Sequence, residues 1–199
     1  EEEVKLLDKK GADYIHIDIM DGHYVPNITF GPNIVRSLRK ITTKILDVHL
    51  MIQPVNPYID EFIKAGSDII SFHPEADVNP DEIISKILDA NTKAGIAVHP
   101  RVKISDIEYL LNKVQQVIVM TVTPGFGGQR FLQEQVDKIK YLDEIRKDNN
   151  YNYEIAVDGG INNENAKICK DNGADVLAVG SYLLSQNQNN YNKIINSLR

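Results

Sequence analysis

Cysteine occurs once in 199 residues, as Cys169. The chain therefore cannot close a disulfide on itself, and a reducing, cytoplasmic setting is the simplest compartment for it. Cys169 lies in "NAKICKDNG" with no basic cluster beside it to activate the thiol, so it reads as a small core residue. No apolar run reaches the roughly 18 residues needed to cross a bilayer, and no secretory pattern opens the chain. Basic residues are in deficit: 22 Lys and Arg face 28 Asp and Glu, a net charge of −6, with a pI near 5.4. That balance lacks the positive surplus that non-specific nucleic-acid binding requires, yet leaves room for a small phosphorylated ligand held by a local site. Neither nucleic acid nor membrane is expected as a partner. What is present is ordinary for a globular protein, 42% hydrophobic and 25% charged. The length suits one domain, residues 1–199, able to bury roughly 70 per cent of its unfolded surface.

Three stretches share a grammar: "KKGADYIHIDIM", "KAGSDIISFH" and "DNGADVLAVGS". In each, a helical pattern stops at a glycine (Gly11, Gly66, Gly173) suited to the left-handed position after a helix, and an aspartate and a short apolar strand follow. "KAGIAVHP", with Gly95, is a looser fourth copy. Asn56 and Asn79, each before a proline, predict helix N-caps, and "SDIE" from Ser105 to Glu108 predicts a capping box. Leu132, Val136, Ile139, Leu142 and Ile145 recur at helical spacing. Strands are expected near 14–20, 45–52, 68–74, 95–99, 116–122, 153–158 and 176–180, with helices between them. Alternation of this kind predicts a parallel α/β sheet covered by helices. Seven strands are visible, and "EEEVKLLDKKG" reads as a helix already under way. One strand before it would make the eight of a (β/α)8 TIM barrel, here N-terminally truncated, with room upstream for a targeting segment as well. The alternative, a doubly wound open sheet, would want a G-x-G-x-x-G turn after the first visible strand, and none is there.

Chemistry in such barrels gathers at the carboxyl ends of strands. "YIHIDIMDGHYVPN" puts His16, Asp18 and Met20 on one strand face, opposite Ile15, Ile17 and Ile19. Burying an imidazole and a carboxylate together costs several kcal/mol unless they are paired or bound to something. "ILDVHLMI" adds His49 and Met51, "VIVMTV" adds Met120, and "EIAVDGG" ends in Asp158. Two imidazoles and two carboxylates on one axis suit a divalent cation such as Zn²⁺, Mn²⁺ or Fe²⁺. The three methionines read either as core gap-fillers or as a water-excluding ceiling over that centre. The last three strands end in glycine turns: Gly125, Gly127 and Gly128; Gly159 and Gly160; then Gly180 with Ser181. Each suits a tight turn alone, and together they suit a phosphate held by backbone N–H groups.

These motifs, "HIDIMDGHYVPNITFGP", "DVHLM", "MTVTPGFGGQRF", "VDGGI" and "VGS", resemble in order those of the ribulose-phosphate 3-epimerase family. The resemblance implies a TIM-barrel enzyme that interconverts D-ribulose 5-phosphate and D-xylulose 5-phosphate, in pentose phosphate metabolism. It makes His16, Asp18, His49 and Asp158 the ligands of one divalent ion, Zn²⁺ first, with Fe²⁺, Mn²⁺ or Co²⁺ as alternatives. Asp18 and Asp158 become the acid/base pair working through a metal-stabilised enediolate. Met20, Met51 and Met120 line the reacting centre, and the glycine turns and Ser181 hold phosphate. Family members commonly self-associate, so a homo-oligomer is expected. Departures are His99-Pro100 in place of Asn-Pro, read as rim structure, and Thr123 where Asn or Glu is common. His23 and His73 are read as packing or hydrogen-bonding residues, and residues 22–30 as lid. Rival readings are 3-epimerisation of a ketohexose phosphate such as allulose 6-phosphate, metal-dependent hydrolysis, and a truncated barrel that binds metal or sugar phosphate without turnover.

Overall fold

Isoleucine at alternate positions starts the sheet. In the computed structural model, which describes residues 1–199, β1 (Tyr14–Met20) buries Ile15, Ile17 and Ile19 and leaves the residues between them less covered. The strands that follow are β2 (Ile45–Met51), β3 (Ile69–Phe72), β4 (Lys93–Val98), β5 (Gln116–Met120), β6 (Glu154–Asp158) and β7 (Val176–Ala178). They form one sheet in chain order, β1 through β7, and the pairs β1–β2, β2–β3, β5–β6 and β6–β7 are parallel. The fold class is the expected (β/α) TIM barrel, and seven strands of it are described. β5, "QVIVM", is buried along its whole length, as a strand covered on both faces must be.

The chain divides into two compact units, Glu1–Gly95 and Ile96–Arg199. The first carries α1 (Glu2–Lys10), α2 (Pro32–Arg39), α3 (Ile59–Ala65) and α4 (Pro80–Asp89). The second carries α5 (Val136–Asn149), α6 (Asn163–Asp171), α7 (Ser181–Leu184) and α8 (Tyr191–Leu198). In α5 the predicted stripe of Val136, Ile139, Leu142 and Ile145 is buried. Asn79 caps α4, accepting from the Glu82 N–H. Cys169 is buried, and burial pushes its thiol up to about 11, which suits an inert core residue. No helix is long and apolar enough to cross a membrane.

Three local expectations fail for physical reasons. Asn56 does not cap α3; it lies in a 3-10 turn, where its side chain donates to Glu82 and receives Lys86. The expected box at Ser105 is replaced by two 3-10 turns, Ile104–Asp106 and Glu108–Leu110. Ile104, Ile107 and Leu110 are all buried, and their spacing of three matches the 3-10 repeat better than the α-helical one. Gly95 lies inside β4, and the left-handed residue after α4 is Asn91.

The recurring Gly-x-Asp has a structural use in both units. Asp68 accepts from the Leu46 N–H at 2.8 Å and from Arg39 at 2.6 Å, while Arg39 also donates to the Thr42 and Lys44 carbonyls. Asp175 repeats this with the Ile155 N–H at 2.8 Å and with Arg146, which also donates to the Tyr153 and Gly173 carbonyls. The glycine makes room: a Cβ on Gly66 would meet Arg39 Cγ at 2.7 Å, and one on Gly173 would meet Asp143 at 2.5 Å. Asp68→Ala and Asp175→Ala are each expected to cost about 1–2 kcal/mol in urea unfolding, allowing for the partial exposure of these carboxylates. Asp60→Ala, which removes only the exposed pair with Lys86, is the control and should change stability by less than about 0.5 kcal/mol.

Candidate metal and acid–base site

The register between β1 and β2 sets His16 beside Asp47, Asp18 beside His49 and Met20 beside Met51. Side chains that are partners in register leave the sheet on the same face. His16 Nδ1 lies 2.8 Å from Asp47 Oδ2 and its Nε2 lies 3.3 Å from Asp18 Oδ1. His49 Nδ1 lies 3.1 Å from that same Asp18 oxygen, and its Nε2 lies 3.0 Å from His73 Nε2. Each histidine therefore aims one ring nitrogen at Asp18 and engages the other behind it. Asp47 can only accept, so the proton of a neutral His16 sits on Nδ1 and the lone pair on Nε2. His49 and His73 are fully buried, and Asp47 nearly so.

Imidazoles and carboxylates stand close together in this cluster. Burial acts to lower the pKa of His16, but the Asp47 and Asp18 carboxylates outweigh it and hold the imidazolium well above its ordinary range. Burial acts to raise Asp18, but hydrogen bonds from His16 and His49 hold that carboxyl far below the usual range. Two carboxylates and two imidazoles thus demand positive charge at one point, which a proton on His16 supplies when no cation does. His16, Asp18 and His49 can each offer a ligand atom, all within 4.8 Å of one another. A borderline divalent ion fits this mixture of imidazole nitrogen and carboxylate oxygen.

In the second unit, β6 ends at Asp158, with Met120 and Ala178 beside it in register. Thr121 ties the strand ends together: its N–H donates to the Asp158 carbonyl at 2.8 Å and its hydroxyl to the Gly159 carbonyl at 2.6 Å. The expected phosphate glycines divide into two groups. Gly125, Gly128, Gly159 and Gly160 have positive φ, and a Cβ on Gly159 would strike Val122 at 2.5 Å. Turn geometry alone accounts for glycine at those positions. Gly127 and Gly180 have no such need: a Cβ at Gly127 would meet only the Ser181 hydroxyl, at 3.2 Å, and one at Gly180 would meet nothing within 4 Å. Gln129 closes the 123–129 turn through the Thr123 and Phe126 carbonyls.

All three methionines are buried. Met20 and Met51 pack with Val25 and Tyr24, and Met120 with Ala97, Ile118, Val122 and Ala156. His99 accepts from the Arg101 N–H, and Lys138 holds its carbonyl and that of Pro100, a structural rim. The loop after β1 is pinned at both ends. Asp21 accepts from the N–H groups of His23, Tyr24 and Gln53, while Thr29 donates to the Asp18 carbonyl and accepts from the Met20 N–H. Sequence reasoning missed Asp47, Glu75 and Tyr24. Only Asp47 carried a readable signal, being two residues before His49 on the same strand face.

A model of the ribulose-phosphate 3 epimerase family matches residues 1–184. A ribulose-phosphate 3-epimerase of Bacillus subtilis is 43% identical over 185 residues, 92% of this chain and 85% of the relative. One from Synechocystis is 40% identical over 200 residues, 100% of this chain and 86% of the relative. Among solved structures, thiamine phosphate pyrophosphorylase from Pyrococcus furiosus superimposes with a TM-score of 0.68 at 19% identity, over 100% of this chain and 86% of that one, a likeness of fold.

Two outcomes follow from the geometry. A cation at His16 must displace the proton held there, so Zn²⁺ affinity should rise with pH up to the raised His16 value and fall about tenfold per unit below it. Calorimetry between about pH 6 and 8 checks this, and a flat profile would remove His16 from the ligands. Gly159→Ala should cost about 2 kcal/mol or more in thermal unfolding, whereas Gly127→Ala should cost less than about 1 kcal/mol, because the Ser181 hydroxyl can rotate away.

Proposed function

The chain belongs to the ribulose-phosphate 3-epimerase family, and from that premise we propose that Asp18 and Asp158 interconvert D-ribulose 5-phosphate and D-xylulose 5-phosphate by proton transfer at C3. The observation that carries this reading is Asp18 itself. It is held ionised between two buried-side imidazoles at the carboxyl end of β1, with 39% of its side chain still open to a substrate.

Epimerisation beside a ketone removes a proton from one face of a carbon and returns one to the other. Asp18 takes the proton on one side, and Asp158 delivers one from the other; in the reverse direction the roles exchange. A carboxylate at the end of β6 suits this work, being fixed by its backbone contacts to Thr121 while its side chain stays partly exposed. On this reading His16 through Nε2, His49 through Nδ1, Asp18 and Asp158 would hold the divalent ion, a donor set of two imidazoles and two carboxylates. Zn²⁺ is the first expectation for such donors, with Fe²⁺, Mn²⁺ and Co²⁺ as alternatives. Such an ion supplies positive charge that stabilises, by several kcal/mol, the negative charge gathering on the substrate oxygens.

Met20, Met51 and Met120 would cover the reacting carbon and keep water from it. Backbone N–H groups of Gly125, Gly127, Gly128, Gly159, Gly160, Gly180 and Ser181 would hold the phosphate, with Gly127 and Gly180 the positions where glycine has least structural necessity. On this reading the two compact units act as one barrel domain. We take the enzyme to be a cytoplasmic homo-oligomer, the compartment resting on the single cysteine.

A coupled assay on ribulose 5-phosphate tests the assignment, run on metal-stripped, restored and variant protein. Asp158→Asn and Asp18→Asn should each lower turnover by at least about a hundredfold, and up to about ten thousandfold. Metal content is measured alongside, because Asp18→Asn also weakens the ion's hold. In deuterated water, wild-type protein should incorporate deuterium at C3 without releasing a smaller product. Near-normal turnover in either variant would eliminate the two-carboxylate mechanism, and preferential turnover of allulose 6-phosphate would move the substrate to a hexose.

A further inference from the structure

We propose that His73, Glu75 and Tyr24 form a positioning relay behind His49, which fixes the imidazole so that Nδ1 faces the metal and couples that grip to the loop after β1. The inference rests on the metal site argued above.

The two histidines aimed at Asp18 are supported differently. His16 is backed directly by the buried carboxylate of Asp47. His49 is backed by a second imidazole: its Nε2 and His73 Nε2 face each other at 3.0 Å, with both rings fully buried. One proton serves that contact. If His49 Nδ1 is to give a lone pair to a cation, the neutral ring carries its proton on Nε2 and donates it to His73. His73 then accepts at Nε2 and must carry its own proton on Nδ1, the nitrogen 3.5 Å from Glu75 Oε1. That same Glu75 oxygen accepts from the Tyr24 hydroxyl at 2.9 Å. Each proton along Tyr24, Glu75, His73 and His49 thus has one position compatible with metal at Nδ1, and the reversed arrangement would point an N–H at the ion. Ring contacts hold the geometry. The centroid of His73 lies 5.1 Å from that of His49 and 4.8 Å from that of Tyr24, inclined at 39° and 32°.

Tyr24 also packs against Met20, Val25 and Met51, and its N–H is bound by Asp21. The relay therefore begins in the loop that follows the metal-bearing strand. Outer partners of this kind orient a ligating histidine, and their loss weakens metal affinity about 10-fold to 100-fold.

The test uses the full chain stripped by chelator. Its readouts are Zn²⁺ affinity by competition with a chromophoric chelator and the visible spectrum of the Co²⁺-loaded protein. His73→Leu fills the buried space but cannot accept the His49 proton; it should raise the Zn²⁺ Kd about 10-fold to 100-fold and shift the Co²⁺ bands. His73→Gln offers a carbonyl oxygen in that place and should recover most of the loss. Glu75→Ala and Tyr24→Phe, at the outer end, should raise Kd by smaller factors, about threefold to tenfold. Equal Zn²⁺ affinity in His73→Leu and wild type, or equal loss in His73→Leu and His73→Gln, would reduce His73 to packing and overturn the relay. Should both His73 variants fail to fold, unchanged affinity in Glu75→Ala and Tyr24→Phe overturns it instead. Wild-type protein that takes up no stoichiometric Zn²⁺ would overturn the metal site and the relay together, whereas binding that is normal in wild type and in all variants overturns the relay alone.

Discussion

The registration of β1 against β2 is the constraint on which the first half of the site depends. It pairs His16 with Asp47 and Asp18 with His49, so that every acid on that face has an imidazole beside it. A slip of β1 by one residue would turn His16 and Asp18 to the opposite face, away from Asp47 and His49. The polar groups cannot secure this register by themselves, because bringing them out of water costs about as much as their pairing returns. Ile15, Ile17 and Ile19 secure it, each almost completely buried on the other face and each worth about 1.5–3 kcal/mol in removal from water. Apolar burial selects the strand's position, and the chemistry occupies the face left over.

Once the register is set, electrostatics follows from who stands next to whom. Asp18 touches two imidazoles and His16 touches two carboxylates. The net charge of the chain, −6, says nothing about this; a local excess of lone pairs at one point is what calls for a cation. The unequal backing of the two histidines divides the work. A directly paired, buried carboxylate behind His16 raises the basicity of that ring, whereas the longer path behind His49 ends at partly exposed groups.

Much of this was legible in the chain, and the limits of legibility are physical. The period of two placed His16, Asp18 and Met20 together, and β1 begins and ends where the pattern said. The same period, applied to "ILDVHLM", puts Asp47 on the face of His49 and Met51, so its role was within reach. Tyr24 and Glu75 were not: 51 residues separate them, and their contact depends on two loops whose paths no local pattern fixes. His73 is expected to pack or hydrogen-bond, and its contact with His49 agrees with that, but its partner can be named only from the fold. At Ser105 the capping signature was present and lost, because burying Ile104, Ile107 and Leu110 at a spacing of three required tighter turns than an α-helix makes.

Stability and chemistry occupy opposite ends of the same strands, and the repeated Gly-x-Asp shows why both can be kept. In each unit an aspartate just before a strand accepts from one N–H near the start of a neighbouring strand and from an arginine of a preceding helix. These contacts are made to groups of the protein itself and ask for no ligand. Asp18, near the end of β1, is arranged the other way: held ionised by two imidazoles that each keep a nitrogen toward it. One residue type thus serves two purposes, distinguished by partner. Arginine, a fork of fixed donors that never gives up its proton, makes a closed structural contact. Histidine, which can exchange its proton for a metal, leaves the site open to one.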